Sequence, residues 1–170
     1  MGKVRLCELC FQTAHEYRQL EMEVSRCLSR FCKALCNGCG DCCRAEICVE
    51  AVESPWLRIV REQEGDKVSR FNRSAGWLSS KGCRLKAGRP PLCHEFFCER
   101  VTDHFREIGI LDPVLTISKL PSTAGQNALG KRHLVALEEE EILNKLDFNK
   151  LRKRIAFVNE SYQHHSSTLP

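Results

Sequence analysis

Apolar residues first recur at helical spacing between Tyr17 and Leu35. Tyr17, Leu20, Val24, Cys27, Leu28, Phe31 and Leu35 follow one another at steps of mostly three and four, which puts one apolar face over about five turns. Thr13 followed by Glu16 reads as a capping box that opens this helix, each side chain satisfying an otherwise orphaned backbone N–H of the other residue. The helix is expected to end in the run NGCG, where Gly38 and Gly40 can adopt the positive φ that lets carbonyls and thiolates turn inward.

A second helix is predicted from Ser54 as cap and Pro55 in the first turn, running through Trp56, Leu57, Ile59 and Val60 and stopping near Gly65. Between Gly65 and Pro91 no period is sustained, so this stretch reads as loop with at most short strands. It is long for a structureless connection, which implies that something besides regular secondary structure pins it. A third helix is predicted from Pro91 to Gly109, with Leu92, Phe96, Phe97, Val101, Phe105 and Ile108 as its apolar side. Asp112 and Pro113 open a short helix reaching Leu120. Residues 121–130 (PSTAGQNALG) read as a linker, and helices follow over roughly 131–146 and 148–162. The last of these carries Phe148, Leu151, Ile155, Val158 and Tyr162 at helical steps, and the tail after it reads as frayed. The expected fold class is mainly α: a small cysteine-rich, metal-organised domain with long irregular loops over 1–120, then a linker and a C-terminal helical hairpin over 121–170 packed on it.

Composition sharpens this picture at one point, the twelve cysteines among 170 residues. A chain of this size needs no disulfides to make up for a small core. The opening MGKVRLCELC contains no signal-peptide core, and nothing approaches the roughly 18 uncharged apolar residues of a membrane span. A cytoplasmic, reducing setting without a membrane partner is therefore expected, and there closely spaced cysteines hold metal more often than they pair. A disulfide framework is the lesser alternative. The net charge of +4 says little about partners, but Asp66 to Arg89 holds seven basic residues (Lys67, Arg70, Arg73, Lys81, Arg84, Lys86, Arg89) against a single acid. Such a stretch can meet an anion or nucleic acid, and a solvated loop serves nearly as well.

The run CNGCGDCC places Cys36, Cys39 and Cys42 at the spacing of the first three cysteines of bacterial ferredoxin motifs, with Cys83, Cys93 and Cys98 available for the fourth place. The same thiols suit tetrahedral zinc. Cys43, adjacent to Cys42, can reach a second centre or one larger cluster; its plain alternative is a buried small hydrophobe. Upstream, Cys7 and Cys10 with Cys27 and Cys32 can form a separate zinc site only if the helix is distorted at Cys27-x4-Cys32. On a continuous third helix His94 shares a face with Cys98 and is a possible substitute ligand, although a satisfied structural histidine is the commoner case. Arg89 can donate to cluster sulfurs or loop carbonyls, and Trp77 can shield the cluster or pack in the core.

Taken together, CNGCGDCC, the Gly82-Cys83 pair and RPPLCHEFFC at 89–98 resemble the YkgJ-like, zinc- or iron-chelating CxxCxxCC cysteine-cluster family of mostly bacterial proteins. Arg89, Pro90, Cys93, Phe96 and Cys98 match its second motif, with one residue more between Phe96 and Cys98. The resemblance covers about residues 36–98. Family members often carry two cysteines upstream of that motif, where this chain has Cys83 alone, and Cys48 is a possible replacement. The cluster is also similar to one in flagellin lysine methylases, but the chain has no glycine-rich strand-to-helix turn for a nucleotide-like cofactor, so methylase activity does not follow.

The function these residues predict is that of a metal-binding protein whose centre, structural or redox-sensing, serves a protein partner. The cofactor expected is an iron–sulfur cluster, with zinc as the alternative, and a separate zinc at the N-terminal cysteines. An iron–sulfur enzyme or electron-transfer component is the second reading, and zinc-dependent nucleic-acid binding through the basic loop a third, weakened by the presence of only Phe71 and Trp77 as aromatics there. No Ser/His/Asp ordering or HExxH motif supports hydrolysis.

Overall fold

The computed structural model describes residues 8–33, 35–36, 43–65, 71–80, 82–128, 133–136, 143 and 145–170. Its organising element is α1 (Glu8–Cys32), whose face of Tyr17, Leu20, Val24, Cys27 and Leu28 is buried as its spacing predicts. The helix nevertheless begins well before the expected capping box. Thr13 lies inside it, buried, with its hydroxyl donating to the Leu9 carbonyl at 2.6 Å, and Glu16 instead accepts from Arg152. Continuation of the apolar face backward through Cys10 and Ala14, both fully buried, outweighs the local cap signal.

A helix not expected from the pattern, α2 (Ala45–Glu53), precedes α3 (Pro55–Glu62). The start of α3 is as expected: Ser54 Oγ accepts from Leu57 N at 3.3 Å and Pro55 sits in the first turn. The following irregular stretch contains one two-stranded antiparallel ribbon, β1 (Leu78–Ser79) with β2 (Gly82–Cys83), in which Leu78 faces Cys83 and Ser79 faces Gly82.

The expected third helix is broken. It consists of α4 (Leu92–Glu95) and α5 (Glu99–Glu107), with Phe96 (φ −94°, ψ 122°) and Cys98 (φ −71°, ψ 159°) extended between them. Phe96 and Phe97 both border a cavity at this break, and Phe97 also packs edge-on against Phe105 at 5.6 Å. Helix α6 (Leu111–Ser118) follows.

Two further expectations are corrected. The linker composition of 121–130 conceals α7 (Leu120–Gly125), buried at Leu120, Pro121, Ala124 and Gly125. Its small residues permit close approach, since a Cβ on Gly125 would lie 2.7 Å from the His133 ring. Of the expected helix over 131–146, the described residues contain a 3₁₀ turn at Leu134–Ala136 and a helical residue at Leu143, and α8 (Phe148–Ser166) follows. It packs on α1, α6 and α7, and stays helical to Ser166, through most of the tail expected to fray. Helices α1 and α8 run parallel: Glu16 pairs with Arg152, and further along Tyr162 donates to the Glu23 carbonyl at 3.2 Å. Leu151, Ile155 and Val158 join Tyr17, Trp56, Phe105 and Ile117 in one core. The mainly α class is thus as expected. Among the described residues no helix is long and apolar enough to cross a membrane.

Candidate metal centre

The C-terminal half of α1 supplies one wall of a cavity of about 300 Å³. Ser25, Leu28, Ser29 and Cys32 fall at steps of three, one and three along that helix, so all four border the same space. Just past the helix end, Cys36 N donates to the Cys32 carbonyl at 2.7 Å and continues the same line. The opposite wall comes from three other segments. Cys43, Arg44 and Cys48 arrive at the start of α2, Leu78, Gly82 and Cys83 on the ribbon, and Cys93, His94, Phe96 and Phe97 around α4.

Six cysteines therefore line one cavity: Cys32, Cys36, Cys43, Cys48, Cys83 and Cys93. Cys36, Cys83 and Cys93 are exposed residues, Cys43 and Cys48 partly buried. Cys48 is held closely: Trp77 N–H donates to its sulfur, and a Cβ on Gly76 (φ +60°) would come within 2.5 Å of its Sγ. Burial pushes the Cys48 thiol up, opposed by that hydrogen bond. Cys93 keeps one exposed face, but protein crowds its thiol from the cavity side. That desolvation, then the neighbouring Cys48 and Cys83 sulfurs, push it up to about 12, with Arg89 opposing. Thiols that hinder one another's ionisation in this way are within electrostatic reach of each other.

The frame beneath these cysteines was not foreseen. Glu21, fully buried on α1, accepts from Gly88 N at 2.7 Å, from Arg89 N at 2.9 Å and from His94 Nε2 at 3.2 Å. One carboxylate thus ties α1 to both ends of the segment that carries Pro90 and Pro91 up to Cys93. Arg89 turns its fork inward, donating from Nε and Nη2 to the Leu85 carbonyl at 2.8 and 2.5 Å and from Nη1 to Ser25 Oγ at 3.3 Å. It meets a loop carbonyl, one of the two expected roles. Arg100 on α5 donates to the Leu35 carbonyl and pins the chain beside Cys36. Trp77 is 1% exposed and lies beneath the Arg61 guanidinium at 5.3 Å and beside Phe71 at 4.8 Å, so its packing role is met. A signal for the two buried charges existed in the sequence: Glu21 stands four residues after Tyr17 and three before Val24, and Arg61 four after Leu57, each on an apolar face.

The chain matches no protein-family model, no curated protein and no solved structure.

The remaining sulfur ligands expected from the sequence are scattered or outside view. Cys7, Cys39 and Cys42 lie outside the described residues. Cys98 caps α5, its carbonyl accepting from Val101 N and Thr102 N, and is not among the residues lining the cavity. Cys10 and Cys27 are not brought together: both lie in the core on one continuous helix, seventeen residues and so about 25 Å apart. Cys27 is hydrogen-bonded to Tyr162, while Cys32 borders the cavity, so the distortion that would aim both at one metal is missing from α1. The break at Phe96 likewise removes the helical face on which His94 and Cys98 were expected to meet. None of the nine described cysteines is in a disulfide. Among the described residues no three His, Cys, Asp or Glu side chains converge closely enough to hold a metal ion.

Proposed function

We propose that the chain is a metal-binding cysteine-cluster protein of the kind its CNGCGDCC and RPPLCHEFFC motifs resemble, with a structural or redox-sensing centre that serves a protein partner. The observation that carries this reading is the assembly of six cysteines, from segments spread between Cys32 and Cys93, along one cavity of about 300 Å³. The donor chemistry fits a thiophilic metal, because thiolates are soft ligands and Arg89 stands near enough to favour the ionised form of Cys93. With Cys39 and Cys42 in the same CxxCxxCC run, the thiols outnumber the four that one tetrahedral zinc takes. An iron–sulfur cluster takes four as well, so the excess leaves room for a second centre, and it is the ferredoxin-like spacing of Cys36, Cys39 and Cys42, with a fourth thiolate from Cys43, Cys48, Cys83 or Cys93, that favours iron–sulfur. A bound cluster would supply one-electron redox chemistry, and zinc a cross-link only.

Two exposed apolar side chains beside Cys93, Leu92 at 46% and Phe96 at 45% exposure, support the protein partner. The exposure of Cys36 and Cys83 favours an electron-transfer role as the second reading, since such a centre must be reached from outside.

The test is purification of the full chain without oxygen, followed by iron, zinc and acid-labile sulfide analysis and a reductive titration of the same sample. A brown protein with iron and sulfide in equal order is expected, with metal lost in Cys48→Ser and Cys83→Ser and retained in Cys10→Ser. Stoichiometric zinc without sulfide would move the reading to a zinc-stabilised interaction protein, and metal-free protein under every condition would end it.

A further inference from the structure

We infer that His133 is a pH-sensitive latch: its neutral imidazole clasps the 3₁₀ turn at Leu134–Ala136 to α7, and uptake of one proton at Nδ1 lets the turn go. The latch is independent of the metal-binding reading and is built from residues which that reading does not use.

Two backbone groups fix the state of this ring. Its Nε2 lies 3.0 Å from the Ser122 carbonyl oxygen on α7, and Val135 N donates to its Nδ1 at 3.1 Å. A carbonyl oxygen only accepts and a backbone N–H only donates, so Nε2 carries the hydrogen and Nδ1 the lone pair. The half-buried ring is thus a neutral bridge with both nitrogens in use, and neither partner can exchange its role. It also takes the space that Gly125 leaves on α7, where a Cβ would come within 2.7 Å of Cε1 and Nε2. The turn it holds packs on α2 and α3, with Leu134 fully buried.

Protonation has one atom available, Nδ1. An imidazolium donates from both nitrogens, so the new N–H would point at the Val135 N–H across 3.1 Å. The bond from Nε2 to the Ser122 carbonyl is strengthened by the same charge. The ring therefore stays with α7, and the contact that gives way is the one to the turn. Burial pushes His133 below the usual histidine range, while its bond to Ser122 works against that shift. The charged groups acting on the ring among the described residues are Glu95 on α4, which favours the protonated form, and Arg154 on α8, which opposes it. A released turn leaves the ring with its ordinary value of 6.5, above that of the closed form. The closed latch is accordingly at full strength above the ordinary value and loses its contribution as pH falls through the lowered one.

Amide hydrogen exchange of the full chain between about pH 7.5 and 5, with the histidine ring nitrogens followed by NMR in ¹⁵N-labelled protein, tests this. Expected at neutral pH is the Nε2–H tautomer of His133. Below the ordinary histidine range the protection factor of the Val135 amide should fall by up to about tenfold per pH unit, while that of Ile155 in α8 holds. His133→Asn keeps an acceptor for the same N–H, as in an Asx turn, and does not titrate, so its Val135 protection should be independent of pH. His15→Asn, at an exposed position on α1, should keep the wild-type response. An Nδ1–H tautomer at neutral pH, a flat Val135 profile in the wild-type chain, or a full pH response surviving in His133→Asn would each overturn the latch. The wild-type profile decides by itself should the variant fail to fold.

Discussion

Replacing Glu21 by Ala tests the frame on which the cysteine cavity is built. The wild-type carboxylate accepts at 2.7 Å from Gly88 N, at 2.9 Å from Arg89 N and at 3.2 Å from His94 Nε2, all within protein that excludes water from it. A hydrogen bond to a charged group contributes about 1.5–3 kcal/mol, and a buried donor left without a partner costs about 1–3 kcal/mol. Against these stands the desolvation of the carboxylate, several kcal/mol, which the substitution relieves. Removal of one partner from a buried charged network with that balance costs about 3–5 kcal/mol. This is a large part of the roughly 5–15 kcal/mol by which domains are stable. For a chain of this length it corresponds to a fall in Tm of about 6–20 °C. Urea unfolding followed by circular dichroism, with chelator present so that bound metal adds nothing, gives the number. Glu107→Gln, at an exposed position on α5, is the control and should stay within about 0.5 kcal/mol of wild type. Amide hydrogen exchange at Gly88 and Arg89 should accelerate in Glu21→Ala alone. A destabilisation under about 1 kcal/mol, with Gly88 and Arg89 still protected, would refute the claim that this carboxylate holds the segment to α1.

Gly76→Ala introduces a Cβ 2.5 Å from Cys48 Sγ at a φ of +60°, so a loss of about 1–3 kcal/mol is expected on urea unfolding, together with faster alkylation of the displaced Cys48. In metal-free protein Cys93, pushed up to about 12 by desolvation and the adjacent sulfurs, should remain a thiol at pH 8 and be alkylated more slowly than Cys83, as read by peptide mass spectrometry. The sign follows from a raised acid: whatever Cys93 contributes to the stability of the metal-free fold is fully present below the ordinary thiol range and is lost as pH rises through about 12. Ile155→Ala, at a site 1% exposed on α8, should cost about 2–4 kcal/mol through the cavity it leaves, and the purified variant should keep the wild-type metal content, because Ile155 is remote from the cysteine cavity.

The sequence by itself determined those features whose cause is local. The three- and four-residue steps of Tyr17 to Leu28 and of Phe148 to Val158 define the buried faces of α1 and α8 because neighbours on a helix surface are three and four apart in the chain. Ser54 and Pro55 start α3 by satisfying and omitting N–H groups within one turn. The CxxCxxCC run pointed to Cys36 and Cys43, and the family resemblance to Cys83 and Cys93 with Cys48 as a possible replacement, and these five line one cavity. Cys32 was linked to Cys10 and Cys27 instead, since nothing local says whether a cysteine at the end of a helix faces the core or the far side of a cavity. Helix α7 was hidden because its small residues, turn formers in isolation, are what close packing against His133 requires. The break at Phe96 leaves both adjacent aromatic residues at the cavity while Phe97 also meets Phe105 edge-on, a contact with α5 that no local pattern encodes. Glu21 and His94 are 73 residues apart, and only the docking of α1 against the segment before α4 brings the carboxylate to the imidazole. Which donors share a site is decided by contacts between elements distant in sequence, and the periodicity within each element carries no record of its neighbour.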